Sequence, residues 1–174
     1  MMARKRKRVP NKFERGPRPY AEHVPWTSVV AGSLLAIFPL VATHGWWPDL
    51  GLMMLIAWRM QRSDPFPNWY AIPLGLLNDL LLLHPLGLSV VTFTFALLVV
   101  DIIDARKLRG FYATEWLVAA VLIALAKLLQ LWVAAIMDAP MPLLSILPPI
   151  VISVLLFPIM AFIVTLLDRY RLRK

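Results

Sequence analysis

The chain has 174 residues, 60% hydrophobic and 16% charged, with a mean hydropathy of +0.70, a balance far from that of soluble globular domains. A net charge of +8 on so few ionisable groups requires the basic residues to be concentrated rather than spread over a solvated surface. With no cysteine, disulfides, thiol chemistry and Cys-ligated zinc or iron–sulfur sites are excluded, and the redox compartment cannot be read.

Residues 1–26 carry Arg4, Lys5, Arg6, Lys7, Arg8, Lys12, Arg15 and Arg18 among scattered prolines, with almost no aliphatic pattern. Such a segment cannot bury a core and is expected to be a basic, disordered cytoplasmic tail lying on anionic lipid. No folded or aromatic-interleaved reader follows it, so no nucleic-acid partner is expected. The next apolar run is longer than a signal h-region and lacks a small-residue cleavage site, so it reads as a retained span.

Six transmembrane helices are expected over residues 27–168, an all-α polytopic bundle followed by a short basic tail at 169–174. The first span, about 27–43, follows the interfacial pair Pro25-Trp26 and aligns Gly32, Ala36, Pro39 and Thr43 on one face, with Trp46 and Trp47 beyond it. The second, 48–60, is short: its apolar part reaches roughly 20 Å against a hydrocarbon core of about 30 Å, and an interfacial or re-entrant helix is its rival. If it spans, Arg59 and Arg62 can snorkel to make up the length. The third span, 68–84, ends in the turn Pro85-Leu86-Gly87, and the fourth, 88–103, contains SVVTFTF, which alternates like a strand inside a run too long for one. Asp101, Asp104, Arg106, Lys107, Arg109 and Gly110 follow. The fifth span, about 115–137, holds Lys127 and Gln130, and the sixth, about 143–167, holds Pro148, Pro149 and Pro158 and should be bent.

Six spans put both termini on one side and every Lys and Arg except Lys127 in the tails or the even-numbered connections. The opposite connections, around Gly45, Pro85 and Ala139, contain none, as the positive-inside rule demands; a five-span topology would break this asymmetry. The expected location is a membrane, with both termini cytoplasmic.

Two ionisable groups fall inside the spans. Asp79 lies among leucines with Asn78 beside it and Gly75 one turn earlier, and Lys127 shares a face with Ala113, Ala120 and Ala134, with Gln130 one turn on. A charge at that depth costs roughly 2.5–3.5 kcal/mol, so it marks a protein- or water-facing site. Compatible depths make an Asp79–Lys127 ion pair the expectation, supported by Asn78 and Gln130, with each charge finding its own water or backbone carbonyl as the alternative; such a pair either fixes the register of the bundle or binds a partner. No catalytic constellation, metal site or cofactor site emerges. His44 and His84 lack a third ligand, there is no HExxH and no phosphate-cradling glycine loop, and the outer loops are minimal. The tryptophans at 26, 46, 47, 58, 69, 116 and 132 read mostly as interfacial anchors.

The segment GLLNDLLLLHPLGL, in a short chain with a basic tail and about six spans, resembles the MreD family of rod shape-determining membrane proteins. A glycine, an acid four residues on and a Leu-Gly turn are the family's pattern, here Gly75, Asp79 and Leu86-Gly87; the histidine-proline before the turn departs from it. The resemblance implies a non-enzymatic inner-membrane scaffold of the cell-elongation machinery. It would bind MreC, a periplasmic coiled-coil protein, and through it MreB, RodA and a penicillin-binding transpeptidase. A second reading is a small-solute-binding subunit similar to the substrate-binding components of energy-coupling-factor transporters, with Asn78, Asp79, Lys127 and Gln130 lining the pocket. A third is a small membrane protein of neither kind.

Overall fold

Apolar stretches separated by Pro- and Gly-bearing turns fold as helices. The computed structural model describes residues 23–35, 47–62, 67–105, 112–138 and 142–172, and every regular element among them is helical. These are α1 (Val24–Leu35), α2 (Leu50–Gln61), a 3-10 turn (Asn68–Tyr70) running into α3 (Ala71–Leu82), α4 (Leu88–Ala105), α5 (Tyr112–Ile136) and a second 3-10 turn (Leu143–Ile146) running into α6 (Leu147–Leu172). The strand-like alternation at 89–95 lies within α4. Ala36, Pro39, Thr43, His44 and Trp46, the basic residues of the amino-terminal tail, and those at 106–109 lie outside the described residues.

The short second segment is the centre of the bundle. Every residue of α2 from 51 to 60 is buried, against α1, α4, α5 and α6. A helix that is apolar all round belongs inside, and one surrounded by protein need not match the thickness of a bilayer. At its start Asp49 caps it, Oδ1 accepting from the Leu52 N–H at 3.0 Å. Near its end two expectations are overturned. Trp58 is no interfacial anchor: it is fully buried, and its indole N–H donates to Ser28 Oγ on α1 at 2.7 Å. Arg59 does not snorkel. Its side chain is buried and grips Asp101 on α4 with two bonds, Nε to Oδ1 at 2.6 Å and Nη2 to Oδ2 at 2.7 Å. Asn68 completes the group, accepting from Arg59 at 2.8 Å and donating to Asp101 at 2.9 Å. A buried guanidinium is held this way because both partners satisfy its planar donor fork.

The outer faces of the bundle are apolar. Val91, Phe95, Leu98 and Ile102 on α4, Leu117, Val121, Leu125 and Leu128 on α5, and Leu155, Ile159, Phe162 and Leu166 on α6 are exposed at helical spacing, the reverse of the pattern on a helix that meets water. Two helical stretches, Ala113–Ile136 and Leu144–Tyr170, are long and apolar enough to cross a membrane.

In α6, Pro158 cannot donate to the carbonyl four residues back, that of Val154. The helix nevertheless runs unbroken from Leu147 to Leu172, because the Trp116 indole on α5 donates to Val154 O at 2.8 Å. Proline is tolerated in an apolar surround when a neighbour re-satisfies the freed carbonyl. Trp116→Phe should therefore destabilise the protein by about 1–3 kcal/mol, measured by unfolding in mild detergent. In a Pro158→Ala background, where the alanine restores the backbone donor, the same change should cost far less; an equal cost in both backgrounds would show that the bond to Val154 is not the reason.

Candidate functional site

One group of buried polar residues gathers where α3 turns into α4. Gly75 sets the approach of the two helices: a Cβ there would lie 2.6 Å from both Val90 Cα and Val90 N, so any side chain would force them apart. One turn later comes Asp79, fully buried. Its Oδ2 accepts from the Gly87 N–H and its Oδ1 from the Ser89 N–H, both at 2.8 Å. The carboxylate thus occupies the amino end of α4, where unsatisfied donors and the positive end of the helix dipole favour a negative group. The Asp79 backbone carbonyl, in turn, accepts from Leu83 N and, at 3.0 Å, from His84 N, closing the end of α3. The turn depends on two left-handed residues, Leu83 (φ 55°) and Gly87 (φ 100°), the second a position that glycine adopts without strain.

Asn78, also fully buried, ties this hairpin to α1 and α2. Its Oδ1 accepts from Ser33 Oγ at 2.6 Å, and its amide donates to Asp49 Oδ2 at 3.1 Å and to Ser89 Oγ at 3.0 Å. Four helices therefore converge on one amide, with its acceptor and both its donors engaged.

Lys127 lies close by but does not bond to Asp79. Its Nζ donates to Gln130 Oε1 at 3.1 Å, and the Gln130 amide meets His84 Nε2 at 2.9 Å. Asp49 and Lys127 line a shared cavity with Ser89 and Thr92. The cavity is about 20 Å³, room for roughly one water and no more. The expected Asp79–Lys127 ion pair is thus replaced by two separate arrangements, because backbone N–H groups eight and ten residues along the same hairpin reach the carboxylate first. The five residues singled out in the sequence all lie in this region: Gly75, Asn78 and Asp79 in the hairpin, Lys127 and Gln130 beside it.

Sequence reasoning missed Ser33, Asp49 and Ser89, and it missed the second buried group, Arg59, Asn68 and Asp101. Asp49 had a signal, an acidic residue just before an apolar helical run, which is an amino-terminal cap pattern. Asp101 had one too, falling inside the fourth apolar run rather than after it.

Asp79→Leu leaves two buried N–H groups without partners and should cost about 2 kcal/mol or more in unfolding free energy. When it is combined with Lys127→Met, the coupling should stay below about 1 kcal/mol, since the two side chains share no bond. A coupling of more than about 1 kcal/mol in this cycle would restore the direct ion pair.

No protein-family model, curated protein or solved structure matches the chain.

Proposed function

We propose that the chain is a multi-pass protein of the bacterial inner membrane, with six spans and both termini cytoplasmic, and that it serves as a non-enzymatic scaffold of the cell-elongation machinery. In this reading it meets an MreC-like periplasmic coiled-coil protein largely helix to helix, and through that partner MreB, RodA and a penicillin-binding transpeptidase. The observation that carries the reading is the closed hairpin at 75–89. Gly75, Asp79 and Leu86-Gly87, the residues on which the resemblance rests, belong to one unit in which the glycine permits close approach and the acid caps the following helix. That unit is filled by the chain's own groups, leaving a cavity of only about 20 Å³, so a solute pocket has no room there and recognition falls to the apolar outer faces. The alternating directions of successive helices also suit six spans: Arg59, Asn68 and Asp101 meet at one end of the bundle, Ser33, Asp49, Asn78 and Ser89 at the other.

The test is a mild-detergent pull-down of the tagged chain from its native membrane, with mass spectrometry of copurifying proteins and a parallel Asp79→Leu sample. A periplasmic coiled-coil protein and wall-synthesis enzymes should be recovered, and the substitution should reduce their recovery more than it reduces the abundance of the chain. Recovery of an ATPase pair with a coupling membrane subunit would overturn the scaffold reading.

A further inference from the structure

Two cavities flank the start of α5. One, of about 880 Å³, lies between α2, α5 and α6, with Ala57, Phe157 and Phe162 among its apolar walls. The other, of about 440 Å³, lies between α4 and α5, helices that barely touch, with Val100, Ile103 and Leu117 in its lining. Both are open at the surface and both include Met60, Ala113 and Glu115, so they are two apolar arms diverging from one shared point.

The polar groups collect on the rim of the larger arm. Arg62 donates through Nε to Asp168 Oδ2 at 2.9 Å, and neither of its terminal amino groups bonds to another described residue. Arg169 is exposed beside it. Glu115, half-buried, lines both arms and makes no hydrogen bond to the described residues. With Asp168 matched by Arg62, what remains among the described residues is a cationic group, Arg169 with the free edge of Arg62, and a separate anionic one, Glu115. That pattern complements a zwitterion rather than a simple anion.

We propose that this forked crevice is a binding site for a diacyl aminophospholipid, phosphatidylethanolamine. The two acyl chains lie in the two arms on either side of α5, the phosphate rests against Arg62 and Arg169, and the ammonium donates to Glu115. Basic positions between spans on the cytoplasmic side are where lipid head groups are held, and the guanidinium fork suits a phosphate. The carboxylate adds discrimination by head group, since an ethanolamine ammonium can donate hydrogen bonds and a choline trimethylammonium cannot. The inference rests on the chain lying in a bilayer, not on its role as a scaffold.

The full chain, purified in mild detergent, would be delipidated and titrated with dioleoyl phosphatidylethanolamine, phosphatidylglycerol or phosphatidylcholine, with occupancy read by native mass spectrometry. Phosphatidylethanolamine should bind at least several-fold more tightly than either of the others. Glu115→Gln should remove most of its preference over phosphatidylcholine, whereas Arg169→Gln should weaken all three. Equal binding of phosphatidylethanolamine and phosphatidylcholine, tighter binding of phosphatidylglycerol, or no retained lipid would each overturn the proposal. Carbonate extraction of the chain from membranes separates a failure of the lipid site from a failure of the membrane reading: if the chain washes off, the bilayer assumption is at fault.

Discussion

An acid among leucines survives only if something nearby supplies donors, and in this protein the donors are backbone. The Asp79 carboxylate sits on the N–H of Gly87, just before α4, and on that of Ser89 in its first turn, whose orphan donor needs an acceptor as much as the acid needs it. One interaction thereby removes two penalties, that of a buried carboxylate and that of a buried helix end. It also fixes the angle at which α3 hands the chain to α4, with Gly75 letting the two backbones come together. The Asn78 cluster is built on the result, because the hairpin brings Ser89 to the amide while Ser33 and Asp49 approach from α1 and α2.

The same rule recurs elsewhere in the bundle. The carbonyl that Pro158 leaves without a donor is claimed by Trp116, the guanidinium of Arg59 by Asp101 and Asn68, and the indole of Trp58 by Ser28. Each of these ties one helix to another, so polar satisfaction and helix packing are a single problem here. The outer surface carries no such burden. Its exposed leucines, valines and phenylalanines make few such bonds, and the polar bonds and close backbone approaches lie in the interior.

The division of labour around α2 follows from its length. Twelve residues give about 18 Å of helix, too little to bridge a bilayer alone, yet the segment is enclosed on all sides by α1, α4, α5 and α6. Its two ends carry the two polar groups, Asp49 and Arg59, each bonded to side chains of neighbouring elements. A short central helix with polar anchors at both ends is thereby held in register without needing the hydrophobic length of α4, α5 or α6.

What could be read from the amino acids alone was local. Continuous apolar runs broken by Pro and Gly determine helices and their turns, and the strand-like alternation at 89–95 could not prevail in a run of that length. The weight placed on Gly75 and Asp79 was legible because the groups they engage lie within fifteen residues along one hairpin. Tertiary structure decided the rest. Lys127 turned to Gln130, which in turn meets His84, rather than to Asp79, and Arg59 reached Asp101 across 42 positions of chain. Trp58, read from its position with the other tryptophans as an interfacial anchor, is the largest fully buried side chain among the described residues. Helical periodicity assigns each residue to a face of its own helix, but the neighbour that face meets depends on the order and rotation of the helices in the bundle. For charges in an apolar interior that neighbour is what matters, since a partner one turn too far away is no partner at all.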